Sequence, residues 1–121
     1  MIFYHGTKVK PEVIFAEGLK PCQTDLLKCE GLNSEIDDHI RRKRECMFVY
    51  LTDKFEEALG YARTGSNFES NVRLELGWGK LDGSGYVYVI DIPIVAKGEI
   101  PVKHVPPNMI MSVEEIGNDV D

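Results

Sequence analysis

The sequence predicts a single small α+β domain over residues 1–121, with a mixed, mostly antiparallel β-sheet and a few short helices. A chain of 121 residues is long enough to bury one hydrophobic core and too short for two. Two strand–helix units come first along the chain, and several strands then follow one another. Helices early and strands late are typical of an α+β domain.

The first strand–helix unit covers residues 2–18. Residues 2–5 are aromatic and β-branched, which predicts a short strand that ends at Gly6. Pro11 suits the first turn of a helix, and residues 13–15 supply its apolar side. Gly18 is expected to end this helix.

The second unit begins with a strand at residues 47–51. Residues 53–56 have the capping-box pattern, with Asp in place of the usual Ser or Thr, and predict the start of a helix over residues 54–63. Gly65 is expected to stop it. The apolar stripe of this helix consists of Phe55, Ala58, Leu59 and Ala62.

Between the two units, the sequence is compatible with a surface helix or with a mobile segment, and Asn33 or Ser34 could cap a helix that runs to about Glu45. The basic cluster at residues 41–44 lies on it. This cluster is either a solvated helix face or a contact for a nucleic acid or an acidic partner.

The last part of the chain is rich in strands. Alternating residues predict a half-exposed strand at 72–76, and the glycine-rich residues 77–85 predict a turn. Residues 86–92 form the strongest strand pattern and are expected near the centre of the sheet. Further strands are expected at 99–103 and 109–113.

Composition narrows the function classes. The net charge of −6 disfavours a polyanion binder by bulk electrostatics, and no apolar run approaches the roughly 20 residues of a membrane span. The N-terminus has no basic and then apolar leader, so the expected location is cytoplasmic. The three cysteines, Cys22, Cys29 and Cys46, predict neither a disulfide framework nor a metal site.

Three features have the placement expected of a binding site. His5 ends a predicted strand and is followed by Gly6 and Thr7, so it either faces a cleft or simply occupies a tight turn. Tyr50 near the end of another strand either packs in the core or offers its ring to a flat ligand. Glu99 is either a solvated charge or an acidic site residue.

Taken together and in order, these segments resemble the ADP-ribosyltransferase superfamily, and the resemblance runs over most of the chain. The segments that carry it are Phe3-Tyr-His-Gly-Thr7, Ala16-Glu-Gly-Leu-Lys-Pro21, Val49-Tyr-Leu-Thr-Asp53, Ala58-Leu-Gly-Tyr-Ala-Arg63, Gly85-Tyr-Val-Tyr-Val-Ile-Asp91 and Val105-Pro-Pro-Asn-Met-Ile110. The resemblance implies a split, mostly antiparallel sheet and a substrate, NAD, whose ADP-ribose is transferred to a protein or nucleic acid.

The family's histidine–tyrosine–glutamate set matches His5, Tyr50 and Glu99 by this resemblance. His5 would bond the nicotinamide-side ribose, and the Gly6 backbone would hold the carboxamide. Tyr50 would stack on the nicotinamide ring, and Glu99 would hold the ribose 2′-hydroxyl and stabilise the cation that forms as nicotinamide leaves. The residues expected at NAD are His5, Gly6, Thr7, Tyr50, Thr52 and Arg63.

Two alternatives to this function stay open. The same segments look like the catalytic half of NAD-dependent tRNA 2′-phosphotransferases, for which Arg63 and Arg73 could contact a 2′-phosphate. The chain could also be a catalytically inactive module of the same fold that binds a nucleotide or a protein. Lys97 stands where arginine-directed transferases carry a second acidic residue, which disfavours arginine as the acceptor.

Overall fold

The computed structural model describes residues 1–21, 48–65 and 83–117. These residues form a small α+β domain with a five-stranded sheet and two α-helices. The elements in chain order are β1 (Ile2–Thr7), α1 (Pro11–Glu17), β2 (Val49–Thr52), α2 (Phe55–Thr64), β3 (Gly85–Asp91), β4 (Glu99–Val102), a 3₁₀ turn (Pro107–Met109) and β5 (Ile110–Ile116).

The strand order is β4-β2-β1-β3-β5, and each neighbouring pair is antiparallel. The α+β class is therefore confirmed. Strand β3 lies inside the sheet between β1 and β5, as its apolar sequence predicts. Strand β1 does not end at Gly6 as expected but continues to Thr7, because its pairing with β3 extends to Thr7↔Tyr86.

Helix α1 has the predicted ends. Pro11 lies in its first turn, and Gly18 follows its last residue with φ of 81°, a conformation that glycine adopts without steric cost. Ile14 is fully buried, whereas Phe15 is 43% exposed and its ring meets that of Tyr88 in an edge-type contact at a centroid distance of 6.2 Å. The buried side of this helix is therefore narrower than the expected apolar side of residues 13–15.

Helix α2 ends as predicted before Gly65, but the predicted capping box at its start is wrong. The N-cap residue is Lys54, and no side chain caps this end of the helix. Asp53 lies in a bend between β2 and the helix, and its N–H donates to the carbonyl of Gly98 at 3.3 Å. The N–H of Lys54 instead donates to the Thr52 hydroxyl at 3.1 Å.

The two helices cover opposite faces of the sheet. On one face, α1 contributes Ile14 to the main core with Phe3, Leu51, Tyr88 and Ile90. On the other face, Ala58 and Ala62 of α2 pack against Val87 and Ile116. Val87 and Tyr88 are successive residues of β3, and successive side chains of a strand point to opposite faces.

Several predicted features lie outside the described residues: the helix ending near Glu45 with its basic cluster at 41–44, the three cysteines, and the strand at 72–76. Neither α1 nor α2 is long and apolar enough to cross a membrane, and the same holds for every helix in the described part of the chain.

Candidate functional site

Strand β1 separates from β2 soon after the two strands meet. Their pairing contains a single registered pair, Tyr4↔Thr52, whereas β1 pairs with β3 along its whole length. Beyond Tyr4 the ladder to β2 stops although both strands continue. The sheet therefore has a split between the second half of β1 and the first half of β2.

The backbone of Gly6 faces this split. Met1 and Ile92 exchange hydrogen bonds in both directions, at 2.9 and 3.3 Å, and form a hydrogen-bonded pair that extends the β1–β3 ladder. Hydrogen-bonding directions alternate along a strand, so Phe3, His5 and Thr7 direct their backbone groups to β3. The N–H and C=O of Gly6 consequently point toward β2, at a position where no ladder pair joins it to Tyr50.

His5 closes the inner end of the split. Its Nδ1 lies 2.8 Å from the backbone oxygen of Tyr50. A carbonyl oxygen only accepts, so Nδ1 carries the proton and Nε2 of the neutral ring is an acceptor. Burial lowers the pKa of His5 below its ordinary value, and the bond to Tyr50 offsets this only in part. The ring is therefore neutral at neutral pH.

Tyr50 is half-buried and lies on the sheet face that α2 also covers. Its cross-strand partner on β4 is Pro101, and its ring meets that of Phe48 edge-on at a centroid distance of 6.4 Å. One edge of the ring is thus supported by an aromatic neighbour. The contact with Phe48 supports the Tyr50 ring, and part of the ring remains exposed.

Glu99 begins β4 directly opposite Thr52. Directly paired residues share a face, so Glu99 is a diagonal neighbour of Tyr50, at a typical separation of about 7–8 Å. The Glu99 side chain is exposed, and its Oε2 accepts a hydrogen bond from the Tyr61 hydroxyl at 3.4 Å. Glu99 and Tyr50 therefore flank one region of the same sheet face.

Three further residues were expected at NAD: Thr7, Thr52 and Arg63. The hydroxyls of both threonines bond to other groups of the protein. Thr52 is 3% exposed, and its hydroxyl donates its one proton to Glu57 at 2.8 Å. The Thr7 hydroxyl accepts from the Val9 N–H at 3.2 Å in the turn that follows β1. Arg63 lies half-buried in the last turn of α2.

Gly6 is needed for a different reason from the one its sequence context suggests. A Cβ at this residue would lie 1.8 Å from the carbonyl oxygen of Ala58, so α2 fills the space that glycine leaves. The N–H and C=O of Gly6 remain available to a ligand, whereas α2 fills the space in which a Cβ would lie.

Sequence reasoning missed two residues next to the site, Glu57 and Tyr61. Their spacing of four on a predicted helix places them on one face. The sequence shows that spacing, but it does not show which strands the two side chains contact.

Comparisons with protein-family models, with curated proteins and with solved structures find no match to this chain.

Proposed function

We propose that this chain binds NAD at the split between β1 and β2 and transfers its ADP-ribose to a protein or nucleic-acid acceptor, with release of nicotinamide. The observation that carries the proposal is the backbone edge of Gly6, which faces the split beside the bond between His5 and the Tyr50 carbonyl.

A primary carboxamide complements this edge. The Gly6 N–H can donate to the amide oxygen, and the Gly6 carbonyl can accept from the amide NH₂. An aromatic ring attached to that amide would lie near Tyr50, whose ring can stack on it. Nicotinamide combines a carboxamide with a flat ring.

The next part of NAD is the ribose, and two groups suit its hydroxyls. Nε2 of neutral His5 can accept a hydrogen bond from one hydroxyl, and the Glu99 carboxylate can accept one from another. His5 pairs with Tyr88 on the α1 face of the sheet and Glu99 lies on the α2 face, so the ribose would have to sit in the split between the two strands, where both faces are reachable. When the C1′–N bond breaks, nicotinamide takes the bonding electron pair and positive charge develops on the ribose. A fixed carboxylate stabilises that charge as it appears. The acceptor then bonds to C1′ and loses its proton to solvent.

The test is a titration with NAD that follows binding and nicotinamide release separately, using wild type and the variants His5→Ala, Tyr50→Ala and Glu99→Gln. We expect Glu99→Gln to retain NAD binding and to lower release about 10²–10³-fold. His5→Ala and Tyr50→Ala should weaken both. Glu114→Gln is the matched control, because Glu114 is an exposed carboxylate on β5 and should leave release unchanged.

The outcomes separate this function from its alternatives. Absence of NAD binding would contradict the proposal as a whole. NAD binding without release, unaffected by Glu99→Gln, would favour the inactive nucleotide-binding module. Release that depends on a 2′-phosphorylated RNA and survives Glu99→Gln would favour the phosphotransferase-like reaction.

A further inference from the structure

Helix α2 carries two side chains that bond to strands β2 and β4. Glu57 and Tyr61 are four residues apart and so lie on one face of the helix. Glu57 Oε2 accepts from the Thr52 hydroxyl at 2.8 Å, and the Tyr61 hydroxyl donates to Glu99 Oε2 at 3.4 Å. Thr52 and Glu99 are themselves a cross-strand pair. The four side chains form a closed set that ties α2 to both strands.

The phenol of Tyr61 keeps its proton in this setting. Burial raises the pKa of Tyr61, and the charge of Glu99, the bond to it and the charge of Glu57 raise the pKa further. A cation also lies beside this group, because Lys54 Nζ is 3.9 Å from Glu57 Oε1. Tyr61 is therefore a hydrogen-bond donor to Glu99 throughout the neutral range.

We propose that Tyr61 is a positioning residue for Glu99, in that its hydroxyl holds Oε2 and leaves Oε1 to accept from the ribose 2′-hydroxyl. This inference rests on the proposed function. An exposed glutamate samples several rotamers, and ordering it has an entropic cost. A donor fixed on a helix reduces the number of rotamers before the substrate arrives, which favours the geometry needed in the transition state.

The bond length limits the expected size of the effect. An O–H···O distance of 3.4 Å is long compared with the usual 2.7–2.8 Å. A typical hydrogen bond changes an equilibrium by about three- to tenfold. We therefore expect Tyr61→Phe to lower kcat for nicotinamide release several-fold, far less than Glu99→Gln does.

The first test measures kcat and KM for nicotinamide release by wild type, Tyr61→Phe and the matched control Tyr86→Phe, with melting temperatures recorded for all three. Tyr86 is a half-buried tyrosine on β3. We expect Tyr61→Phe to lower kcat with KM for NAD unchanged, and Tyr86→Phe to match wild type. An unchanged kcat in Tyr61→Phe would overturn the inference while leaving the proposed function intact.

The second test needs no NAD. Tyrosine Cζ carbons are labelled, and the resonance assigned through Tyr61→Phe is followed by NMR against pH. We expect Glu99→Gln to lower the Tyr61 pKa, because it removes a negative charge and a bond partner, and Glu114→Gln to leave it unchanged. An identical Tyr61 pKa in wild type and Glu99→Gln would overturn the inference. If the wild-type protein releases no nicotinamide from NAD, both this inference and the proposed function are overturned.

Discussion

At the scale of single residues, the fixed tautomer of His5 governs what the site can do. Because Nδ1 donates to a backbone carbonyl, Nε2 accepts rather than donates in the neutral ring. A neutral acceptor suits a sugar hydroxyl and does not suit a phosphate. The same bond ties β1 to β2 at a position where the ladder between them has already stopped.

The lowered pKa of His5 predicts an acid-sensitive stability. Well above pH 6.5, the ordinary histidine pKa, the ring is neutral in both the folded and the unfolded chain, so it adds no pH dependence. As the pH falls below 6.5, His5 binds a proton in the unfolded chain, whereas it stays neutral in the folded chain. The free energy of unfolding therefore decreases as the pH falls from 6.5 to the folded pKa.

Thermal melts of wild type and His5→Gln between pH 5 and 7.5 test this dependence. We expect the melting temperature of wild type to fall more steeply below pH 6.5 than that of His5→Gln, since glutamine does not titrate. His104→Gln is the control, because His104 is exposed. Equal slopes for wild type and His5→Gln would contradict the prediction.

At the scale of elements, two glycines let α2 approach the sheet closely. A Cβ at Gly85 would lie 2.0 Å from the carbonyl oxygen of Ala62, and a Cβ at Gly6 would be similarly close to Ala58. Both obstacles are helix backbone, which cannot rotate away. The position of α2, and with it that of Glu57 and Tyr61, depends on β1 and β3 carrying glycine at these two residues.

Gly85→Ala should therefore destabilise the fold by about 1–3 kcal/mol through overpacking. Gly60→Ala is the matched control, because Gly60 is exposed on the same helix and a Cβ there meets nothing within 4 Å. It should stabilise the protein by about 0.5–1 kcal/mol through helix propensity. Denaturant unfolding measures both, and equal effects would refute this account of the helix packing.

At the scale of the whole molecule, residues distant in sequence join α1 to the strands at the end of the chain. Leu19 and Val105 form an isolated antiparallel bridge with hydrogen bonds of 2.8 and 3.0 Å. Both side chains are almost fully buried in the main core. This bridge connects the segment after α1 to the segment between β4 and β5.

Leu19→Ala should lower the free energy of unfolding by about 2–5 kcal/mol, because it empties part of the core. Val95→Ala is the control, since Val95 is 93% exposed, and its effect should stay within about 0.5 kcal/mol. Urea unfolding compares the two. A loss in Leu19→Ala no larger than in Val95→Ala would show that burial of the Leu19 side chain does not stabilise the molecule.

Local chemistry in the sequence was sufficient for most element boundaries. Pro11, Gly18 and Gly65 mark helix ends, and the stripe containing Ala58 and Ala62 is buried as its period predicts. The predicted capping box at Asp53 failed because the helix begins one residue later, with Lys54 as its N-cap. The N–H of Lys54 bonds to the Thr52 hydroxyl, and the N–H of Asp53 bonds to Gly98, a residue distant in sequence.

Local periodicity and turn chemistry are enough to predict the α+β class and the helix ends marked by Pro11, Gly18 and Gly65. The candidate residues His5, Tyr50 and Glu99 follow instead from the resemblance to a known family, and their role stays a prediction. The strand order, the split beyond Tyr4, the proton position on His5 and the contact between Tyr61 and Glu99 became visible only in the folded chain. These features depend on which groups of distant segments meet, and the spacing of residues along the sequence does not specify that.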